Sequence, residues 1–315
     1  FLEHSYGFRP QRNPHQALKE LSRVIGTRKV GYVVDADIRG FFNEVNHEWL
    51  MKMLELRIKD TQILRLIKRF LKAGIMGSGN VVKSEEGVPQ GGSLSPLLAN
   101  IYLHYTLDLW FTKAVKKHCR GEAYIVRYAD DFVACFQYKH DAEMFYEALR
   151  TRLAKFNLQV AEEKTKILTF GRYAARDEKK ILGRKPETFD FLGFTHYCGR
   201  SRKGRFKLKW KTARKKYHTR IQEFKKWIQE NRKLPLSEIW KTVNSKLRGH
   251  YQYYGVSDNW NQLLAYRRHI IKLLHKWLNR RSQRSKLTWL KFSRMLRFYP
   301  LAEPKSLINL NSAFV

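Results

Sequence analysis

Apolar and polar positions along the chain fall into two textures. Up to residue 197, runs with strand character alternate with runs at helical spacing. "KVGYVVDADI" is rich in β-branched and aromatic residues, whereas "HEWLMKMLELRI" and "TQILRLIKRFLKAGI" carry the apolar periodicity of amphipathic helices. "SPLLANIYLHYTLDLWFTKAVKKH" predicts one long helix starting near Ser95 and Pro96. The strands "AYIVRY" and "FVACFQY" read as a hairpin with Asp130 and Asp131 at its turn. A helix over "DAEMFYEALRTRLAKF" follows, then strand pieces in "LQVAEEKTKILTF" and "FDFLGFTHY". This predicts an α+β fold, with short strands in a sheet and helices packed on one side. After Cys198 the pattern becomes that of three or so amphipathic helices, separated by Pro235 and a loop at residues 255–259. A boundary near residue 198 is therefore expected, giving units 1–197 and 198–315.

Charge sharpens that division. Lys and Arg total 62 against 28 Asp and Glu, a net +34 that exceeds what solubility requires and points to a polyanionic partner, nucleic acid ahead of anionic membrane. Residues 198–315 hold 30 basic and 5 acidic residues, while residues 1–197 hold 32 and 23. Between Arg200 and Lys216 stand ten basic residues and no acidic one, interleaved with Phe206, Leu208 and Trp210. Within that run Arg200, Arg202, Lys203, Arg205, Lys207 and Lys209 are candidate phosphate contacts. Trp210, Trp227, Tyr251, Tyr253 and Tyr254 can stack on bases, although helix-bundle core is the commoner use of such aromatics. No stretch approaches the length of a membrane span and the opening lacks a signal pattern. The three cysteines are far apart and form no CxxC pair, which favours a reducing interior over a disulfide or zinc framework.

Two adjacent carboxylates in the apolar, β-prone run "IVRYADDFVACFQ" raise the question of what they bind, since unpaired charge is costly to bury. Alone, such a pair is more often a solvated turn than a metal site. Asp37, at the end of "VGYVVDADI", is a third acid that a neighbouring strand can bring to the turn. Three such carboxylates can hold two Mg²⁺ ions, the arrangement that stabilises the attacking and leaving oxygens of an in-line phosphoryl displacement. Asp35 lies two residues before Asp37 on the same strand face, so spacing does not separate the two.

At these residues the sequence resembles a family. "RYADDF" resembles the catalytic motif of reverse transcriptases, and "ADIRGFFNEVNH", "GVPQGGSLSPLLANIYL", "LQVAEEKTKILTF" and "FDFLGF" resemble its neighbouring blocks in the expected order. "SYGFRPQRNPHQAL" makes the resemblance closest to the reverse transcriptase and maturase proteins of group II introns, bacterial or organellar. The resemblance implies a right-hand polymerase, with palm and fingers built on an antiparallel palm sheet, followed by an all-α thumb or maturase segment containing "LRGHYQYYG". It implies that Asp37, Asp130 and Asp131 are catalytic metal ligands, with the Ile38 carbonyl as a backbone ligand. Phe42 matches the bulky side chain that excludes a 2′-hydroxyl, Gln90 a residue lining the nucleotide pocket, and Lys164 a lysine near the leaving pyrophosphate. Without the resemblance, "VPQGG" reads equally as a glycine turn and Lys164 as ordinary surface.

The implied activity is RNA-directed DNA synthesis with two Mg²⁺ ions and deoxynucleoside triphosphates, on an intron RNA template with a DNA primer or target, joined to intron RNA binding during splicing. The implied place is the bacterial cytoplasm at the nucleoid, with an organelle as the alternative and no membrane partner. The family's first fingers block has no counterpart ahead of "SYGFRP", and nothing after Leu310 resembles a His- and Cys-rich endonuclease domain, so incomplete fingers and no target cleavage are expected. Two other readings stay open: a maturase that binds RNA without polymerising, and a reverse transcriptase of a CRISPR-linked or diversity-generating system. The oligomeric state is not legible.

Overall fold

The computed structural model describes residues 1–72, 75–77, 80–82, 87–88, 92–177, 186–281, 286–305 and 308–310. Helix α1 (Pro14–Thr27) begins where Asn13 and Gln16 cap each other and Pro14 takes the first turn. Strand β1 (Tyr32–Ala36), the single-turn helix α2 (Phe41–Glu44), and helices α3 (His47–Glu55) and α4 (Thr61–Lys72) follow. Strands β2 (Ile75–Gly77) and β3 (Asn80–Val82) pair as an antiparallel ribbon. Helix α5 (Ser95–Leu103) runs on through π-helical stretches at His104–Asp108 and Phe111–Val115 into α6 (Lys116–His118). The expected long helix is thus present with two widened turns. One is supported from outside, because Arg152 donates to the carbonyls of Tyr105 and Thr106, both at 3.0 Å.

Strands β4 (Ala123–Tyr128) and β5 (Asp131–Phe136), helix α7 (Lys139–Ala154), strand β6 (Lys166–Thr169), helix α8 (Arg172–Asp177) and strand β7 (Phe189–Phe191) complete this part. The main sheet has order β4-β5-β1-β6 with every pair antiparallel. Its register sets Val34 against Ala134 and Ala36 against Phe132, so these residues share one face. That face packs on Tyr102, Leu107, Phe111, Phe145 and Leu149 of the helices, a core in which the rings of Phe111, Phe136 and Phe145 lie 5.1 to 6.2 Å apart. The expected α+β layout with an antiparallel sheet is what forms, but Val33, Val133 and Cys135 on the opposite face are buried as well, so the sheet is covered on both sides there.

Strands β8 (Phe194–Arg200) and β9 (Phe206–Thr212) join β7 in a second sheet of order β7-β8-β9. Helices α9 (Arg214–Asn231), α10 (Leu236–Tyr254), α11 (Trp260–Leu278) and α12 (Trp289–Phe298) follow. All-helical character therefore starts at Arg214, and the basic run before it is strand. The reason lies in "FKLKWKT", where Leu208, Trp210 and Thr212 are buried and the intervening lysines are not, a period of two. The helices share a core of Phe224, Ile228, Trp240, Leu247, Tyr266, Ile270, Leu274 and Phe292. Trp210 and Tyr254 are buried, and Trp227 and Tyr251 pack against the helical core, so these aromatics serve packing. Among the described residues four helices form where three or so were expected.

The chain divides into two compact units, one comprising Phe1–Leu192 and Cys198–Leu208, the other Gly193–Tyr197 and Lys209–Ser312. The division crosses β8 and β9 rather than falling at a single point near residue 198, because those strands pair with each other. No helix among the described residues is long and apolar enough to cross a membrane, and the three cysteines are free.

Truncating a ring in the Phe111, Phe136 and Phe145 cluster leaves a cavity that rigid neighbours on three sides do not refill. Phe145→Ala is expected to destabilise the first unit by about 3–5 kcal/mol, read as a lower urea midpoint by tryptophan fluorescence.

Candidate active site

The β4–β5 hairpin positions the acidic pair. Tyr128 pairs with Asp131 as the last rung, leaving Ala129 and Asp130 as the turn. Ala129 has φ +57°, a left-handed conformation that a non-glycine residue seldom adopts. On the other side of β5, the β1 register ends at Ala36 opposite Phe132, so the next residues along the two chains are Asp37 and Asp131. Asp131 and Asp35 lie on the face opposite the helix layer, because Phe132 and Ala36 face the core. Topology thus brings the three predicted acids to one end of adjacent strands.

Burial and neighbouring acidic charge raise both Asp35 and Asp130. Burial, then the charges of Asp131, Asp190 and Asp37, push Asp35 up to about 7, with Lys166 opposing. Asp130 is also raised, by burial and then by Asp37, against a backbone hydrogen bond and the charge of Arg127. Asp37 lies beyond the last strand pair, and one of its oxygens accepts from the Lys164 ammonium at 2.7 Å. Among the described residues, no three His, Cys, Asp or Glu side chains stand close enough to enclose a metal ion. The donor set still suits a hard cation: carboxylate oxygens on two neighbouring chain segments whose charges oppose one another, with an ammonium already on one of them.

Ile38 bridges Val160 in an antiparallel pair whose hydrogen bonds are made by its neighbours, Arg39 N–H to the Gln159 carbonyl at 2.9 Å and Ala161 N–H to the Asp37 carbonyl at 2.8 Å. In such a pair the groups of Ile38 itself point away from the partner, so its carbonyl faces away from residues 159–161. Gly40, at φ +50°, caps the short helix that carries Phe42. The Phe42 carbonyl accepts from Val88 N–H at 2.7 Å, and a Cβ on Gly87 would stand 2.8 Å from the Asn43 carbonyl oxygen. The segment entering "PQGG" therefore docks directly on the turn bearing Phe42. Gln90 itself lies outside the described residues.

The candidate phosphate contacts sit on the β8–β9 hairpin. Arg200, Arg202, Lys203 and Arg205 are exposed at its tip, closed by hydrogen bonds between Ser201 and Arg205, while Lys207 and Lys209 are half-buried along the β9 arm. They lie on this hairpin, strand and turn, not on the helices that follow.

The residues beneath the turn also belong to the site. Arg127, inside "RYADDF", is fully buried on the helix side of the sheet, opposite Phe132. It forms a two-pronged ion pair with Asp108, Nε to Oδ1 at 2.8 Å and Nη2 to Oδ2 at 2.6 Å. Against the desolvation of burial, the guanidinium's charge and hydrogen bonds hold Asp108 well below the usual carboxylate range. An arginine in an otherwise apolar strand run was the available signal.

Comparison with known proteins gives a family and several relatives. A profile of the reverse transcriptase (RNA-dependent DNA polymerase) family matches residues 1–196. The group II intron-encoded protein LtrA of Lactococcus lactis subsp. cremoris is 30% identical over 84% of this chain and 55% of its own length. Protein YkfC of Escherichia coli (strain K12) is 33% identical over 52% of this chain and 51% of its own. The chain spans about half the length of these relatives. Among solved structures, a truncated apo telomerase of Candida tropicalis aligns with 62% of this chain and 39% of its own at 15% identity and a TM-score of 0.46.

The raised Asp35 carboxyl has a consequence for stability. The folded chain keeps a proton that the unfolded chain releases between about pH 4 and 7, so stability falls as pH rises through that window and levels off above it. Asp35→Asn is expected to remove most of this slope and to melt above wild type at pH 8. Thermal melts at pH 5, 6, 7 and 8 in a chelator test it, and parallel curves for the two proteins would contradict the assignment.

Proposed function

The chain belongs to the reverse transcriptase (RNA-dependent DNA polymerase) family, and from that membership we propose that it copies RNA into DNA as part of a group II intron protein. One observation carries the proposal: strand pairing brings Asp37, Asp130 and Asp131 to a single end of the main sheet. The intron association is supported by the likeness to LtrA, which extends past the family match into the helical unit. On this reading, residues 1–197 are palm and fingers and residues 198–315 the thumb or maturase part. An intron RNA template, a DNA primer or target and deoxynucleoside triphosphates are the partners, in the cytoplasm at the nucleoid.

Asp37, Asp130, Asp131 and the Ile38 carbonyl are the proposed ligands of two Mg²⁺ ions, whose chemistry when bound is to stabilise the attacking and leaving oxygens of the displacement. The chain's own residues do the rest. The Phe42 ring, on a helix fixed by Gly87 and Val88, closes the space a 2′-hydroxyl would need and so selects deoxynucleotides. Gln90 is assigned to the nucleotide pocket by its match to the family motif alone. Lys164 holds its ammonium at the edge of the acids, where it can neutralise or protonate the leaving pyrophosphate. Arg200, Arg202, Lys203, Arg205, Lys207 and Lys209 grip the phosphates of the template and primer, and the net +34 favours the encounter.

Asp130→Ala is expected to lower primer extension on an RNA template in Mg²⁺ by about a hundredfold or more while leaving the fold intact. Extension that survives the substitution would remove the metal assignment. Phe42→Ala is expected to raise ribonucleotide use relative to deoxynucleotide use by about tenfold or more, measured as the ratio of kcat/KM for the two, and an unchanged ratio would count against the gate.

A further inference from the structure

Directly beneath the acidic turn, Arg127 uses all five of its N–H groups. Beyond the two bonds to Asp108, Nη2 donates to Ser5 Oγ at 2.8 Å, and Nη1 donates to Asn100 Oδ1 at 2.9 Å and to the Ala129 carbonyl at 2.8 Å. The last bond differs in kind from the others. The Ala129 carbonyl belongs to the peptide group that joins Ala129 to Asp130, so holding that oxygen fixes the plane from which the Asp130 backbone departs and hence where its carboxylate begins.

The same turn is braced from a second direction. Residues 4–6 run beside β4, with Arg127 N–H donating to the His4 carbonyl and Tyr6 N–H to the Arg127 carbonyl, both at 2.9 Å. Gly7 then passes so close to the turn that a Cβ there would collide with the Ala129 backbone nitrogen. Asn100 ties both supports together, since its Nδ2 donates to the Gly7 carbonyl at 2.6 Å while its Oδ1 accepts from Arg127. The left-handed Ala129, unfavourable on its own, is held by this frame.

We propose that Arg127 is a positioning residue for the active site, setting the direction of Asp130 through the Ala129 carbonyl, with Ser5, Asn100 and Asp108 holding the guanidinium for that purpose. The proposal rests on the polymerase reading, in which Asp130 is a metal ligand. A lysine does not substitute, because a single ammonium cannot present the planar fork that meets Asp108 and Ala129 together.

The test separates positioning from stability. The double variant Arg127→Met with Asp108→Leu exchanges the buried ion pair for apolar groups, a change that often leaves stability intact or improved. Melting temperature, Mn²⁺ affinity by electron paramagnetic resonance, and the kcat, KM and Mg²⁺ dependence of primer extension are compared with wild type. A protein that melts like wild type, binds Mn²⁺ about tenfold or more weakly, needs correspondingly more Mg²⁺ and loses kcat with KM for primer-template unchanged supports the proposal. Wild-type Mn²⁺ affinity and wild-type kcat in that folded variant overturn it. If the double variant does not fold, Ser5→Ala decides: Mn²⁺ affinity weakened about threefold at an unchanged melting temperature supports positioning, and unchanged affinity overturns it. A wild-type protein that extends no primer would sink the polymerase reading instead, leaving Mn²⁺ affinity to judge Arg127.

Discussion

The buried ion pair between Arg127 and Asp108 is the constraint on which the first unit depends. Stripping a buried charge of its partner costs about 3–5 kcal/mol, and here five bonds converge on one guanidinium from the residue-5 segment, the long helix and the hairpin turn. These pieces are distant in sequence, so they are placed together or the charge is left exposed to an apolar core. The pair also pins the sheet register. A slip of one residue in β4 would turn Arg127 to the opposite face, among Val133 and Cys135, and carry a neighbour into the space beside Asp108, reversing every side chain of the strand. Charge on the helix side of the sheet thus guards the placement of charge on the other.

That other side is a negative spot in a strongly positive chain. Asp35 and Asp130 are both pushed up in pKa, by burial first and by neighbouring acids next. Asp37 lies just past the end of the strand, and its charge is one of those acting on both. Its side chain turns to Lys164, and the carbonyls on either side divide their duties: that of Asp37 binds Ala161 while that of Ile38 points away from the same segment. Asp35 and Asp37 share a strand face, yet one is enclosed between β5 and β6 and the other lies past the last rung. The end of strand pairing, not the spacing of the acids, distinguishes a buried carboxyl from one open to a cation.

Much of this was legible in the chain. The β-prone runs "VGYVVDADI" and "IVRYADDFVACFQ" supply strands β1, β4 and β5, and placing acids at their ends follows from where the apolar residues stop. Arg127 was not legible as a structural hub, because one arginine in a strand pattern reads as an outward residue and its partners lie at positions 5, 100 and 108. The π-helical turns were hidden too, since one extra residue per turn barely disturbs apolar periodicity and the cause, Arg152, is on another helix. The basic run after Cys198 shows a different failure. Its charge density drew the eye to nucleic acid and to the helices beyond, while the alternation of "FKLKWKT", plain in the sequence, already specified a strand.

Folding that run as a hairpin changes what its charges can do. In a strand, side chains two apart lie about 6–7 Å from each other on one face, so Lys207 and Lys209 alternate with the inward Leu208 and Trp210 and stay at a set distance. At the tip, Gly204 takes φ +75° and lets the chain reverse within the Ser201–Arg205 turn, which gathers Arg202, Lys203 and Arg205 into one place. Such crowding of like charge opposes folding, and the burial of Leu208 and Trp210 at the base offsets it. A polyanion whose phosphates pair with these groups, its own counterions passing to solvent, relieves the same repulsion. The proposed phosphate grip thus exchanges repulsion among these side chains for contact with phosphate.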